Sequence, residues 1–145
     1  MNTSFLAYIA ELHRAVHAIG LFLDTSLDGE ISQAEALVII HLSAQSSPTI
    51  NELHHAFLHR RSTLTSVLDR MEGKGLIKRV TAEADRRSVT VTLTAKGTRV
   101  AGAIASALDR LRGEVESSLP IAERDVVRLR NVADRASQMA SEGGK

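Results

Sequence analysis

The 145-residue sequence contains no cysteine and very few aromatic residues. Without cysteine it can form no disulfide, no thiolate metal site and no thiol redox switch, so cysteine-based oxidation sensing is excluded. Aromatic residues make up 3% of the chain and tryptophan is absent. This composition disfavours a module that binds single-stranded nucleic acid by stacking bases on aromatic rings.

Long apolar runs and a signal-peptide start are also missing. No uninterrupted apolar run approaches the roughly 18 residues that a membrane span needs, and the first residues lack a basic segment. We therefore expect no membrane partner and a cytoplasmic location. The content of 43% hydrophobic and 24% charged residues is that of a soluble globular protein. The length fits one domain, so residues 1–145 are expected to form a single domain.

Charge is distributed unevenly along the chain. Residues 1–48 hold one basic and five acidic residues, net −4, whereas residues 49–99 hold ten basic and five acidic residues, net +5. Residues 100–145 hold seven of each and are neutral. A basic middle segment suggests contact with a polyanion, although a solvated charged face gives the same count.

Hydrophobic periodicity and turn signals predict a mainly helical chain with one hairpin. The first helix, at 3–23, has apolar residues every three or four positions and is expected to bury one face. Ser32 and Glu35 match a capping box that opens a second helix, whose dense apolar residues suggest burial on most sides. The remaining elements are a short helix capped by Thr49, a helix at 61–73, strands at 76–79 and 88–93, and helices at about 95–116 and from Pro120 to about Met139.

This order of elements is that of a winged helix-turn-helix, in which the helix at 61–73 would enter the major groove of DNA. At about 100° per residue, its apolar residues share one side and its serines share the other. Short hydroxylated side chains would let the helix sit deep in the groove, and the basic residues at its N-terminus would attract phosphate. The candidate DNA contacts on this element are Arg60, Arg61, Ser62, Thr63, Thr65, Ser66 and Arg70.

The expected hairpin tip is basic and forms the wing. Arg87 is placed to enter the neighbouring minor groove, Asp85 to hold it in position, and Arg86 to contact phosphate. Arginines on a hairpin tip are equally typical of a solvated loop when no recognition helix lies beside them.

Four motifs in order resemble the core of the MarR family of transcriptional regulators. They are Leu68-Asp69-Arg70-Met71, Gly75-Leu76-Ile77-Lys78-Arg79, Asp85-Arg86-Arg87 and Leu93-Thr94-Ala95-Lys96-Gly97. The resemblance implies a dimer, built from the first and last two helices, that represses from a palindromic operator and is often released by a small aromatic or phenolic ligand. In similar proteins, the positions of Thr63 and Ser66 often read bases.

Apolar stripes outside the DNA-binding segment independently favour a homodimer. The predicted helices after residue 98 carry apolar residues at helical spacing that need a partner surface. We therefore expect a winged helix-turn-helix lobe at about 32–98, flanked by dimerisation helices at about 3–23 and 99–140. Two-fold symmetry would place the recognition helices in successive major grooves, about 10 bp apart.

Three other functions compete with this one. Histidines spaced i, i+4 (His13 with His17, and His55 with His59) could bind a metal, but no third ligand is evident, so neither a metal site nor a cofactor is expected. A winged helix can also serve protein contacts. The sequence lacks a nucleophile elbow, a zinc-protease motif and a phosphate-binding loop, which argues against an enzyme.

Overall fold

The computed structural model describes residues 3–57, 61–81, 88–117 and 120–142. Its elements in chain order are α1 (Thr3–Ser26), α2 (Gln33–Ala44), α3 (Ile50–Phe57), α4 (Arg61–Gly73), β1 (Ile77–Thr81), β2 (Val89–Leu93), α5 (Ala95–Glu116) and α6 (Glu123–Glu142). The chain divides into two compact units, residues 1–108 and residues 109–145. The fold is mainly helical with a small hairpin, as the sequence predicts.

Two capping boxes start α2 and α3. The backbone N–H of Glu35 donates to Ser32 Oγ, and that of Ser32 donates to Glu35 Oε2 at 2.9 Å. Thr49 and Glu52 form the same reciprocal pair before α3, and the hydrogen bonds from the Thr49 N–H and hydroxyl lower the pKa of Glu52. Both helices therefore begin where local side-chain chemistry satisfies their first amides.

The core of residues 1–108 lies where α2, α3, α4 and the hairpin meet. Leu53 of α3, Leu64 and Leu68 of α4, and Val91 of β2 are fully buried within it. The second helix, α2, buries Ala36, Val38, Ile39 and Leu42. The expectation that α2 is covered on most sides is wrong, because Leu37 and Ile40 are 43% and 37% exposed on its outer side.

The hairpin pairs β1 with β2 antiparallel, with Ile77 opposite Leu93 and Arg79 opposite Val91. The segment before α3 adds to the free edge of β2: the Val91 N–H donates to the Pro48 carbonyl at 2.9 Å, and Thr49 forms a bridge with Thr90. This contact fastens the base of the wing to the helix-turn-helix.

Thr94 and Gly97 hold the junction between the hairpin and α5. The Thr94 hydroxyl lies 2.6 Å from the Gly75 carbonyl and caps α5 by accepting from the Gly97 N–H. A Cβ atom on Gly97 would overlap the backbone oxygen of Leu76. Gly75 itself has φ +69°, which fits the predicted left-handed cap of α4. The Leu-Thr-x-x-Gly motif is thus explained by the close approach of the start of α5 to the backbone at Gly75 and Leu76.

The first helix, α1, runs to Ser26 but buries only Gly20 and Leu23, so the predicted buried face is uncovered along most of its length. Leu6, Val16 and Ile19 are 47%, 47% and 39% exposed. By length and composition alone, α1 is also long and apolar enough to cross a membrane, with mean hydropathy 1.2 over its best window. The sequence contains no uninterrupted apolar run of this length: scattered polar residues interrupt it but leave the mean hydropathy of the helix high enough to pass the test. A helix with one strongly apolar face passes the same test.

The last helix, α6, does not begin at Pro120. It begins at Glu123, because the Asp125 carboxylate accepts the Ala122 N–H at 3.0 Å and the Asp125 N–H donates to the Ala122 carbonyl. An acidic side chain three positions on thus decides the start of the helix, not the proline. No residue of α6 is buried within the described chain.

Candidate nucleic-acid interface

The fourth helix separates its apolar residues from its polar ones as the sequence predicts. Leu64, Val67, Leu68 and Met71 are buried against the core, each 3% exposed or less. On the opposite side five of the candidate DNA contacts are exposed, and we call them the α4 face: Ser62, Thr63, Thr65, Ser66 and Arg70. The structure thus places these five on one surface.

The Ser66 hydroxyl donates to the Ser62 carbonyl one turn earlier, at 2.9 Å. Such a bond within the helix uses the only hydrogen of the hydroxyl and leaves its lone pairs free. In this conformation Ser66 offers an acceptor. Groups able to meet it in the major groove are the amino groups of adenine and cytosine.

The side chain of Arg70 lies near the buried carboxylate of Glu35. Its Nε atom lies 3.8 Å from Glu35 Oε1, and the Arg70 side chain is 54% exposed whereas that of Glu35 is 1% exposed. A guanidinium that is more than half exposed can still reach a phosphate. Arg70 is therefore the member of the α4 face that lies nearest to the buried carboxylate of α2, without a hydrogen bond to it.

Glu35 has a structural role beyond the capping box that the sequence predicts. Besides capping α2, its Oε2 atom accepts from Lys74 Nζ at 2.8 Å, and Lys74 also donates to the Glu30 carbonyl at 2.9 Å. Burial raises the pKa of Glu35, but hydrogen bonds from Lys74 and from the Ser32 N–H outweigh it, so its pKa lies below the usual 4.5. This charged pair joins the start of α2 to the end of α4.

Arg79 connects the wing to α4. Its guanidinium lies 2.7 Å from Asp69 Oδ1 and 2.9 Å from Glu72 Oε2, and the Arg79 N–H donates to Glu72 Oε1 at 3.3 Å. Asp69 and Arg79 belong to two of the motifs found in the sequence, but the spacing of those motifs did not show that the two side chains form an ion pair.

The other candidate contacts lie outside the described residues. Arg60 and the wing residues Asp85, Arg86 and Arg87 fall in the gaps at 58–60 and 82–87. Arg61 begins α4, and the position of its side chain is likewise not described. The strands that carry the wing are present on either side of the second gap.

The spaced histidine pairs raised the question of a metal site. Within the described part of the chain, no three His, Cys, Asp or Glu side chains come together in a way that could hold a metal ion. His41 contacts the ring of Phe57 edge-on, with ring centroids 5.2 Å apart. The spaced pairs in the sequence therefore gain no third ligand among these residues, and His59 lies in the gap at 58–60.

Comparison with known proteins finds similarity over this part of the chain. Residues 31–89 match the model of the MarR family. The chain is 27% identical over 128 residues, 83% of its length, to the HTH-type transcriptional regulator PecS of Dickeya dadantii, covering 76% of that protein.

Solved structures share the fold. The transcriptional regulator BldR from Sulfolobus solfataricus aligns with a TM-score of 0.75 at 23% identity, over 91% of this chain and 94% of that one. The MepR–DNA complex from Staphylococcus aureus aligns with a TM-score of 0.70 at 22% identity, over 91% and 97%. At these identities the likeness establishes the fold.

Proposed function

Because this chain carries a MarR-family domain at residues 31–89, we propose that it is a sequence-specific, DNA-binding transcriptional regulator that works as a dimer. The observation that carries the proposal is the α4 face, where small hydroxylated residues are exposed directly opposite a fully buried apolar stripe. Two DNA-bound regulators share the fold, namely MepR in its DNA complex and CouR on a 23-mer duplex. As a regulator it would have no catalytic role.

In this proposal α4 lies in the major groove. Thr63 and Ser66 face base edges, while Ser62, Thr65 and Arg70 contact base edges or phosphates. Arg60 and Arg61 stand at the N-terminal end of α4, where the helix dipole adds to their attraction for phosphate. The middle of the α4 face carries Ser66 and no arginine that could read guanine. Discrimination between DNA sequences therefore depends mainly on the wing and on DNA shape.

The wing supplies the second contact. Arg87 enters the adjacent minor groove, Asp85 orients it, and Arg86 binds phosphate. Support comes from the hairpin itself, whose base is fixed to the segment before α3 by the Pro48 carbonyl and to α4 by Arg79. A wing held at both points would present its tip at a defined place beside α4.

Exposed apolar residues outside the α4 face support the homodimer. Leu6, Val16 and Ile19 of α1 are exposed, as are Val126, Val127 and Leu129 of α6. So much exposed apolar surface on helices of 24 and 20 residues is typical of faces that a partner covers. A symmetric dimer would read a palindromic operator with half-sites about 10 bp apart.

We further propose that the dimer acts in the cytoplasm as a repressor and that a small, aromatic or phenolic ligand releases it from the operator. Occupying an operator blocks transcription, and a ligand that prefers the DNA-free conformation would lower DNA affinity by its differential binding to the two states.

Binding to DNA selected from a random duplex library tests the proposal. Wild-type protein should bind the selected duplex much more tightly than a scrambled one, with an affinity that falls steeply with salt. Arg87→Ala should weaken binding by about 1–3 kcal/mol, whereas the matched control Arg99→Ala, an exposed arginine on α5, should not. Equal and weak binding of both duplexes by all three proteins would reject the proposal in favour of a protein-contact module.

A further inference from the structure

Arg79 forms two ion pairs beside the α4 face, and the DNA contacts proposed above do not include it. Its side chain is 24% exposed and binds two carboxylates of α4, those of Asp69 and Glu72. One residue of the first wing strand thus bridges two carboxylates that lie three positions apart on the recognition helix.

Asp69 and Glu72 are the only acidic residues in α4, and both are exposed, at 59% and 42% of their side chains. Two carboxylates on a helix that approaches DNA would repel phosphate, because unit charges within about 8 Å still interact at physiological salt. The guanidinium of Arg79 donates to both, at 2.7 and 2.9 Å, and so offsets much of their field.

The same contacts fix the wing. Arg79 lies opposite the buried Val91 in the hairpin register, so its backbone is held by β2 while its side chain is held by α4. A two-stranded hairpin alone is only marginally ordered. The bridge from Arg79 therefore limits the directions that the wing can take relative to α4.

We propose that Arg79 is a positioning residue for DNA recognition: it masks Asp69 and Glu72 from the phosphate backbone and sets the wing against the recognition helix. Arg79 does not itself contact DNA. This inference rests on the proposed function, because it concerns how the α4 face and the wing reach the same duplex.

Four variants of the full-length chain test the proposal on the selected duplex: Arg79→Gln, Arg79→Lys, Asp69→Asn/Glu72→Gln, and the triple variant. Arg79→Gln should weaken binding about tenfold or more, because it unmasks two carboxylates. Its salt slope should stay close to that of the wild type, since no phosphate contact is lost. The affinity of Arg79→Lys should lie between those of the wild type and Arg79→Gln, because an ammonium keeps the charge but lacks the planar fork that reaches both carboxylates.

The triple variant provides the readout that a purely structural role would not move. Removing both acids from Arg79→Gln should return the affinity to within about threefold of Asp69→Asn/Glu72→Gln alone, as expected for one coupled network. Amide hydrogen exchange in β1 of the free protein should be faster in Arg79→Gln than in the wild type. Circular dichroism and thermal unfolding establish that each variant is folded.

Three results would overturn the inference. They are unchanged affinity in Arg79→Gln, no recovery in the triple variant, and a salt slope reduced by about 0.9, the signature of one lost phosphate contact. Failure of the wild type to prefer the selected duplex would instead reject the proposed function, so the two failures are distinguishable.

Discussion

Removing Lys74 should destabilise the protein more than removing the charge of its partner Glu35, although both changes break the same ion pair. The reason is the difference in burial: the side chain of Glu35 is 1% exposed and that of Lys74 is 40% exposed. Lys74→Met leaves a buried carboxylate without its ammonium, whereas Glu35→Gln leaves an ammonium that can turn to water.

The contacts set the size of each effect. In Lys74→Met, Glu35 loses a 2.8 Å hydrogen bond and keeps the Ser32 N–H at 2.9 Å, with Arg70 still 3.8 Å away as partial compensation. We expect a cost of about 2–3 kcal/mol, below the full range for an isolated buried charge. Glutamine at position 35 keeps both the volume and the capping acceptor, so Glu35→Gln should cost about 1 kcal/mol.

Urea unfolding at pH 7 and fixed protein concentration measures both costs. The pH dependence is a second check. The pKa of Glu35 is lowered in the folded state, so its stabilisation is complete above the usual value of 4.5 and is lost as pH falls through the lowered pKa. The difference between wild type and Glu35→Gln should therefore be constant from pH 7 to pH 5 and shrink at lower pH. A Lys74→Met cost equal to or smaller than that of Glu35→Gln would refute the reasoning from burial.

Two further predictions follow from the packing. Gly97→Ala should cost about 2–3 kcal/mol or prevent folding, since its Cβ meets the Leu76 carbonyl, while the control Gly102→Ala, with no atom within 4 Å of the new Cβ, should be neutral or gain about 1 kcal/mol in thermal unfolding. Ile19→Asp on the exposed side of α1 should halve the mass measured by light scattering if α1 contributes to a dimer, whereas the control His17→Asp, at another exposed position of α1, should leave the mass unchanged. A mass that Ile19→Asp does not change, or that both variants halve, would count against that role.

The elements whose signals are local could be predicted from the sequence. The capping box of Ser32 and Glu35 and the apolar stripe of α4 depend on residues within one or two turns, so periodicity was sufficient to place both helices. The exposure of the five residues of the α4 face could be predicted in the same way, because burying Leu64 and Leu68 turns the opposite side of the helix outward.

Features that depend on distant residues could not be predicted. Glu35 meets Lys74 across 39 positions, and no local pattern links them. An apolar stripe also does not show what covers it, which is why α1 was expected to be buried although Val16 and Ile19 are exposed within one chain. Proline is common in the first turn of a helix, so Pro120 predicted the start of α6 there, but the Asp125 carboxylate caps the helix further on and α6 begins at Glu123.

The central claim, that the α4 face enters the major groove, can be tested by affinity cleavage, for which the absence of cysteine is an advantage. A DNA-cleaving copper complex attached to Thr63→Cys should cut the selected duplex in two windows about 10 bp apart, each within a major groove. The same reagent on Ser141→Cys, near the end of α6, should not cut there. Equal cutting from both positions, or none from Thr63→Cys on a duplex that the labelled protein still binds, would contradict the account.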